Sequence, residues 1–160
     1  MPIQPGDRIP EAVLQYIDDG VRKINAAELF AHRRMVLFAV PGAFTPTCSQ
    51  RHLPGYVEHF DAFKQRGIEV ACMAVNDPFV MQAWGKDQHV PAGLRLLADG
   101  NGDFTRALGM TFDASGYGMG IRSKRFALYA DDGIVRGLWV EAPGELRVSA
   151  ADAVLARLPD

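Results

Sequence analysis

Three short segments of the chain are apolar at nearly every position, which is typical of strands buried on both faces of a sheet. These segments are residues 35–40, 69–75 and 94–98. The stretches between them begin with helix signals around Pro46 and Pro78, because proline suits the first turn of a helix. We expect the first helix to bend at Pro54-Gly55 and to end at Gly67. Strands that alternate with helices in this way predict a parallel sheet.

Two further segments have the signature of β-hairpins, in which two apolar strands flank a tight turn. The turns are Asp19-Gly20, within residues 12–24, and Asp131 to Gly133, within residues 126–140. Short helices are expected at residues 25–32, with Asn25 as cap, at 104–108, and at 149–158, with Ser149 as cap. This order predicts an α/β protein with a thioredoxin-like fold. A central mixed sheet is flanked by helices and extended by the N-terminal hairpin, in one domain over residues 1–160.

Composition and charge narrow the classes of function. Charged residues make up 22% of the 160 positions, and the net charge is −2, which gives no reason to expect nucleic acid or an anionic membrane as partner. The first six residues contain neither a basic segment nor an apolar core of a signal peptide. The longest aliphatic run is about a third of the length of a membrane span. We therefore expect a cytoplasmic protein.

The chain has two cysteines, Cys48 and Cys72, which are too few for a disulfide framework and lack the spacing of a Cys-x-x-Cys pair. Cys48 follows a buried strand and falls in the first turn of the helix that starts at Thr45-Pro46. The free N–H groups and the dipole at a helix start stabilise a thiolate, which is the nucleophilic form of cysteine. The position therefore indicates covalent or redox chemistry, against the alternative of a small apolar core residue.

The residues around Cys48 resemble the peroxiredoxin active-site motif Pro-x-x-x-Thr-x-x-Cys, formed here by Pro41, Thr45 and Cys48. The wider segment 40–49 is similar to the type II, or five-like, subfamily of peroxiredoxins. Further matching segments follow in the family's order at residues 52–55, 75–77, 79–85 and 120–126. The resemblance extends from about residue 34 to residue 158. It implies a thioredoxin-like fold and a thiol peroxidase that needs neither a metal nor an organic cofactor.

The resemblance also implies roles for individual residues. The catalytic residues would be Cys48, Thr45, Pro41 and Arg125. Cys48 would attack the hydroperoxide and become a sulfenic acid, with the Thr45 hydroxyl holding the reacting atoms and Pro41 shielding the pocket. Arg125 matches the family's active-site arginine and would stabilise the developing charge. The substrate pocket is expected to include Phe44, Thr47 and Arg122.

The recycling of the enzyme is inferred from a difference within the family. Some members carry a second, resolving cysteine near the C-terminus, but the matching stretch, residues 146–149, has none. This implies an external thiol. Glutathione or glutaredoxin is the expected reductant, and thioredoxin is a further candidate. Cys72 is predicted to be an inert thiol within the strand 69–75, and a homodimer is expected because relatives pair through a surface near the active site.

Other interpretations of these residues remain open. A general thiol–disulfide oxidoreductase is disfavoured because Thr-x-x-Cys offers no second sulfur, whereas a non-enzymatic redox sensor or chaperone could share the fold. Cys48 and His52 have the i, i+4 spacing of two metal ligands or of a Cys–His dyad, but no further ligand pair or orienting residue is evident. We expect His52 at the surface or behind the active site. The glycines 116, 118 and 120 are expected to form a flexible loop rather than a phosphate site.

Overall fold

Nine strands occur among residues 2–158, which are the residues that the computed structural model describes. They are β1 (Val13–Ile17), β2 (Val21–Asn25), β3 (Arg34–Ala39), β4 (Ile68–Ala74), β5 (Arg95–Ala98), β6 (Thr111–Asp113), β7 (Ile121–Ser123), β8 (Phe126–Asp131) and β9 (Ile134–Val140). Seven of them form one sheet in the order β2-β1-β5-β4-β3-β8-β9, while β6 and β7 form a separate hairpin.

Six α-helices connect and cover these strands within the same residues. They are α1 (Ala26–Phe30), α2 (Leu53–Glu58), α3 (Phe60–Gln65), α4 (Pro78–Asp87), α5 (Asp103–Leu108) and α6 (Ala151–Arg157). A π-helical turn, Cys48–His52, leads directly into α2. In the described part of the chain, no helix has the length and apolar character needed to cross a membrane.

The sheet is mixed, as the alternation of strands and helices predicts. β3, β4 and β5 are parallel, whereas β8 runs antiparallel to β3, and β9 antiparallel to β8. The N-terminal hairpin of β1 and β2 joins the sheet through the antiparallel contact of β1 with β5. The predicted thioredoxin-like fold with an N-terminal hairpin addition is therefore confirmed.

The sheet separates two apolar layers, because successive side chains of a buried strand point to opposite faces. Along β3, Val36 and Phe38 face the layer that contains α2, α3, α4 and α6. Met35 and Leu37 face the other layer, which contains α1 and α5. The uninterrupted apolar sequence of β3 is thus explained by burial on both faces.

The helix after β3 differs from the sequence prediction. It begins at Pro46, as expected, but the helical backbone continues through Pro54-Gly55 and is interrupted only at His59. The distortion that proline imposes lies in the preceding turn, where the N–H of Leu53 bonds to the carbonyl of Cys48, five residues earlier. The ring of Pro54 would clash with the carbonyl of residue 50 in a regular α-helix, and a widened turn relieves this clash.

Two smaller expectations are corrected by the structure. Helix α1 ends at Phe30 instead of residue 32, although Asn25 caps it as predicted. Ser149 does not cap the last helix, because Ala150 occupies the cap position and the Ser149 hydroxyl bonds to Glu141 instead. The glycines 116, 118 and 120 lie in the connection between β6 and β7, as expected of a loop, and this connection includes a 3₁₀ turn at Ser115–Tyr117.

Candidate active site

The loop between β3 and the π-helical turn is held by one hydrogen bond to a residue that follows β4 and by another within the loop. The N–H of Ala43 donates to the side-chain oxygen of Asn76, at 2.9 Å, and thereby ties the loop to the end of β4. The hydroxyl of Thr45 donates to the carbonyl of Gly42, at 2.7 Å. Because this bond uses the hydroxyl hydrogen, the oxygen of Thr45 is left to act as an acceptor for other partners.

Cys48 lies in the first turns of this helix and is fully buried. A guanidinium nitrogen of Arg125, Nη2, lies 3.2 Å from the Cys48 sulfur, although the two residues are 77 positions apart. The strand register explains the contact. Ala39 at the end of β3 pairs with Phe126 at the start of β8, so the residue before β8 lies beside the loop that leads to Cys48. A fixed cation therefore lies next to the sulfur.

The second nitrogen of the same guanidinium, Nη1, lies 2.9 Å from Nδ1 of His52. His52 is 1% exposed, so of its two expected positions the structure shows the one behind the active site and not the one at the surface. Burial together with the positive charge of Arg125 lowers the pKa of His52 to about 3. The imidazole is therefore neutral at physiological pH.

A buried carboxylate organises the segment before α6. Glu141 accepts hydrogen bonds from the N–H and the hydroxyl of Ser149, at 2.7 and 2.6 Å, and from the N–H of Arg147 at 2.8 Å. The carbonyl of Ser149 in turn lies 2.7 Å from the hydroxyl of Tyr56, which donates to it, and 3.1 Å from Nε2 of His52. Cys48 is thus connected to Glu141 through three intervening residues, Arg125, His52 and Ser149.

A cavity of about 440 Å³ opens beside this network. Its polar lining includes Thr45, Thr47 and Arg125, and Pro41 also borders it, whereas the fully buried Cys48 is not part of the lining. The outer lining is largely apolar and includes Phe112, Tyr117, Met119 and Pro143. A larger cleft, of about 700 Å³, lies between β1 and α4 and contains none of the predicted site residues.

The structure brings together five of the seven residues that the sequence analysis assigned to catalysis or the pocket. They are Pro41, Thr45, Thr47, Cys48 and Arg125. Phe44 and Arg122 lie outside the cavity lining. Phe44 has a left-handed backbone, with φ of 64°, and is 52% exposed. Arg122 donates to the carbonyl of Met119 and borders a separate small cavity instead.

Cys72 lies in the middle of β4 and is fully buried among apolar residues. Burial raises the pKa of the Cys72 thiol well above its usual value, and the negative charge of a Cys48 thiolate adds to this effect, whereas Arg125 opposes it. The group is therefore a protonated thiol at neutral pH. The described residues also contain no cluster of three His, Cys, Asp or Glu side chains that could hold a metal ion.

Sequence reasoning overlooked Glu141 and Ser149 as parts of the site. Neither belongs to a recognised motif segment, and Ser149 was interpreted only as a helix cap. The one signal that pointed towards His52 was its i, i+4 spacing from Cys48, which places both side chains on one helix face. The spacing did not reveal that this face packs against the sheet.

We expect replacement of Glu141 by glutamine to destabilise the fold at neutral pH but not at acid pH. Burial by itself raises the pKa of Glu141, but the hydrogen bonds from Ser149 and Arg147 outweigh it and hold the pKa below its usual range. A lowered pKa in the folded state means that Glu141 stabilises the protein above the pKa of an unfolded glutamate, about 4.3, and that this contribution is lost as pH falls further.

Glu141→Gln should lower the free energy of unfolding by about 2 kcal/mol at neutral pH, the usual value of hydrogen bonds to a charged group. Urea denaturation at neutral and at acid pH measures the difference. Glu11→Gln, at an exposed glutamate, is the control and should change stability little at either pH. An equal effect of Glu141→Gln at both pH values would contradict the role of the ionised carboxylate.

Comparison with known proteins gives the site its family context. The family model described as Redoxin matches residues 4–155. The chain is 48% identical to the chloroplastic Peroxiredoxin-2E-2 of Oryza sativa subsp. japonica, over 98% of this chain and 72% of that protein. It is 43% identical to Peroxiredoxin-2B of Arabidopsis thaliana, over 98% and 99% of the two chains.

A solved structure agrees with this assignment. Reduced Prx3 of Vibrio vulnificus, in complex with H₂O₂, superimposes with a TM-score of 0.93 and is 46% identical, covering 96% of this chain and 98% of that one. The matching family model, the full-length relatives and the fold all lead to the same conclusion. The chain belongs to the Redoxin family and is one of its peroxiredoxins.

Proposed function

We propose that this peroxiredoxin, a thiol peroxidase of antioxidant defence, reduces hydrogen peroxide and organic hydroperoxides at Cys48 and is recycled by glutathione or glutaredoxin. The observation that carries the proposal is the contact of 3.2 Å between the Cys48 sulfur and the Arg125 guanidinium, next to a cavity that Thr45 and Pro41 border. A fixed cation and an acceptor hydroxyl thus line one cavity, and the buried nucleophile contacts that cation. Together these are the groups that attack on an O–O bond requires.

The proposed reaction begins with the thiolate of Cys48. Its sulfur attacks the terminal oxygen of the hydroperoxide, an S–O bond forms, and the O–O bond breaks. The sulfur is oxidised by two electrons to a sulfenic acid, and the leaving alkoxide or hydroxide takes a proton from solvent to become an alcohol or water. Arg125 stabilises the negative charge as it moves from sulfur to the leaving oxygen, and the Thr45 oxygen accepts a hydrogen bond from the peroxide hydrogen.

The lining of the cavity supports organic hydroperoxides as substrates in addition to hydrogen peroxide. Its outer part is formed by the apolar side chains Phe112, Met119 and Pro143 together with the ring of Tyr117. Such a surface favours a substrate with an alkyl or aryl group, because burial of that group removes apolar area from water. Hydrogen peroxide has no such group and would use only the polar end of the cavity.

Two features support a reductant from outside the chain. The sequence contains only two cysteines, and Cys72 is a buried thiol whose raised pKa keeps it protonated. A protonated thiol is a poor nucleophile towards a sulfenic acid. Glutathione would instead attack the Cys48 sulfenic acid to give a mixed disulfide and water. A second thiol, from glutathione or glutaredoxin, would then release the Cys48 thiol and carry away the disulfide.

We expect one equivalent of peroxide to leave a chain with a sulfenic acid on Cys48 that dimedone can trap, and no disulfide to Cys72. Glutathione should then add as a mixed disulfide, which mass spectrometry identifies. Cys72→Ala should retain most of the turnover with glutathione and glutaredoxin, since the change leaves no unpaired polar group in the core. A stoichiometric Cys48–Cys72 disulfide, together with loss of turnover in Cys72→Ala, would contradict the external reductant.

A steady-state assay with hydrogen peroxide and cumene hydroperoxide tests the proposed function directly. Glutathione alone, glutathione with glutaredoxin, and thioredoxin with its reductase are compared as reducing systems. Multiple turnovers with a glutathione system support the proposal. Turnover with the thioredoxin system alone would show that thioredoxin, and not glutathione or glutaredoxin, is the reductant. A single turnover per chain with every reductant would indicate a redox sensor instead of an enzyme.

The exposed apolar side chains near the active-site loop support a homodimer. Phe44 precedes the helix of Cys48, Phe79 begins α4, and Tyr117 and Ile121 belong to the β6–β7 hairpin, and each is more than half exposed. Contact with a second copy of the chain would remove these side chains from water. Sedimentation velocity would report a mass of about two chains, and a monomer at all concentrations would contradict the dimer.

A further inference from the structure

The two ring nitrogens of His52 have different partners, and these partners determine its tautomer. A guanidinium can only donate hydrogen bonds, so Nδ1, which lies 2.9 Å from Nη1 of Arg125, must be the unprotonated nitrogen. The hydrogen therefore resides on Nε2, which donates to the carbonyl of Ser149 at 3.1 Å. His52 thus offers Arg125 a neutral acceptor with one defined orientation.

The surroundings of His52 prevent the ring from turning. Its centroid lies 5.0 Å from that of Phe38 and 5.7 Å from that of Tyr56, so aromatic rings pack against it from two directions. The carbonyl that receives Nε2–H is itself fixed, because Tyr56 also donates to it and Glu141 holds the N–H and hydroxyl of Ser149. The acceptor for Arg125 is therefore held in place by three segments of the chain.

A fixed acceptor on one side of a guanidinium determines where its other side points. The guanidinium is planar and its donors form a rigid fork. When Nη1 bonds to His52, the plane is set and Nη2 is directed at the sulfur of Cys48, 3.2 Å away. Without this acceptor, the long side chain of Arg125 could adopt other rotamers and turn its charge away from the sulfur.

We propose that His52 is a positioning residue, whose neutral Nδ1 holds the guanidinium of Arg125 against the reacting sulfur of Cys48. The proposal rests on the peroxidase function proposed above, and it adds a residue that touches neither the sulfur nor the substrate cavity. It also gives a role to the Glu141–Ser149 arrangement, which fixes the orientation of the imidazole.

Three substitutions of His52 separate its two hydrogen bonds. His52→Leu removes both bonds and keeps apolar bulk. His52→Asn places an amide oxygen at the position of Nδ1, where it can accept from Arg125, but loses the bond to Ser149. His52→Gln reaches the position of Nε2 and can donate to Ser149, but offers nothing at Nδ1. His59→Leu, at a partly exposed histidine in the following turn, is the matched control.

The first measurement is the rate constant for oxidation of Cys48 by hydrogen peroxide. His52→Leu should lower it by about 10- to 100-fold, since a displaced catalytic group costs rate in this range. His52→Asn should recover most of the loss, His52→Gln should not, and His59→Leu should match the parent. Equal rates for the Asn and Gln variants, or a faster Gln variant, would overturn the proposal even where His52→Leu fails to fold.

The second measurement does not depend on peroxidase activity. Ultraviolet thiolate absorbance at neutral pH reports on Cys48 alone, because the raised pKa of buried Cys72 keeps that thiol protonated. The absorbance should fall in His52→Leu and return in His52→Asn, while the Asn and Gln variants, each of which loses one buried hydrogen bond, should have similar melting temperatures. Unchanged absorbance in His52→Leu would overturn the positioning role, whereas peroxide consumption that survives Cys48→Ser would overturn the proposed function itself.

Discussion

Replacing Cys48 by serine should abolish peroxide consumption while the fold is retained. Serine is close to cysteine in shape, but its hydroxyl stays protonated at neutral pH, and the thiolate nucleophile is lost. The rate of peroxide consumption should fall by at least about 10³-fold, since removal of a catalytic nucleophile has effects of this size or larger. A peroxide-selective electrode or a coupled assay with glutathione measures the loss.

The control for this experiment is Cys72→Ala, the other cysteine of the chain. Both side chains are fully buried in the same apolar layer, so both changes test the effect of altering a core thiol. Only Cys48 lies 3.2 Å from a guanidinium. Retention of a tenth of the parent rate in Cys48→Ser, or equal losses in the two variants, would contradict the assignment of the nucleophile.

Arg125→Lys should slow the reaction of Cys48 with peroxide by about 10²-fold, which is the usual loss when one preorganised donor for the transition state is removed. Lysine keeps the positive charge, but its charge and its donors are concentrated on one ammonium nitrogen. It cannot reach the sulfur of Cys48 and Nδ1 of His52 with the fixed geometry of the guanidinium fork. The fraction of Cys48 that is thiolate at neutral pH should fall as well.

Stopped-flow measurement of peroxide reduction gives the rate, and ultraviolet absorbance gives the thiolate fraction. Arg136→Lys, at an exposed position on β9, is the matched control and should leave both unchanged. Thermal unfolding of both variants checks that the fold is intact. A parent rate in Arg125→Lys would contradict the assignment of Arg125 to the active site.

Local patterns in the sequence predicted the strands of the seven-stranded sheet, most helices and the position of the nucleophile. The turns at Asp19-Gly20 and Asp131 to Gly133 identify the two hairpins of the main sheet, because such turns depend on a few adjacent residues. Continuous apolar runs identify β3 and β4, because both faces of these strands are covered. Cys48 could be placed at a helix start from Thr45-Pro46 alone, since that signal is also local.

The motif around Cys48 also allowed family membership to be inferred before the fold was known. The hairpin of β6 and β7 could not be predicted in this way. Its strands have three residues each, and a period of two cannot be recognised over so short a length. The π-helical turn was likewise missed, because Pro54 signals a distortion without specifying whether the chain bends or the turn widens.

The family resemblance implied Arg125 beside Cys48, but only the tertiary structure explains that contact and adds His52, Ser149 and Glu141 behind it. Arg125 is 77 residues from Cys48, and Ser149 is 97 residues from His52, so their contacts depend on the register of β8 against β3 and on the packing of the last segment. A sequence pattern gives the direction of a side chain relative to its own helix or strand. It does not give the partner on a distant element, because that partner is chosen by the free energy of packing the whole chain.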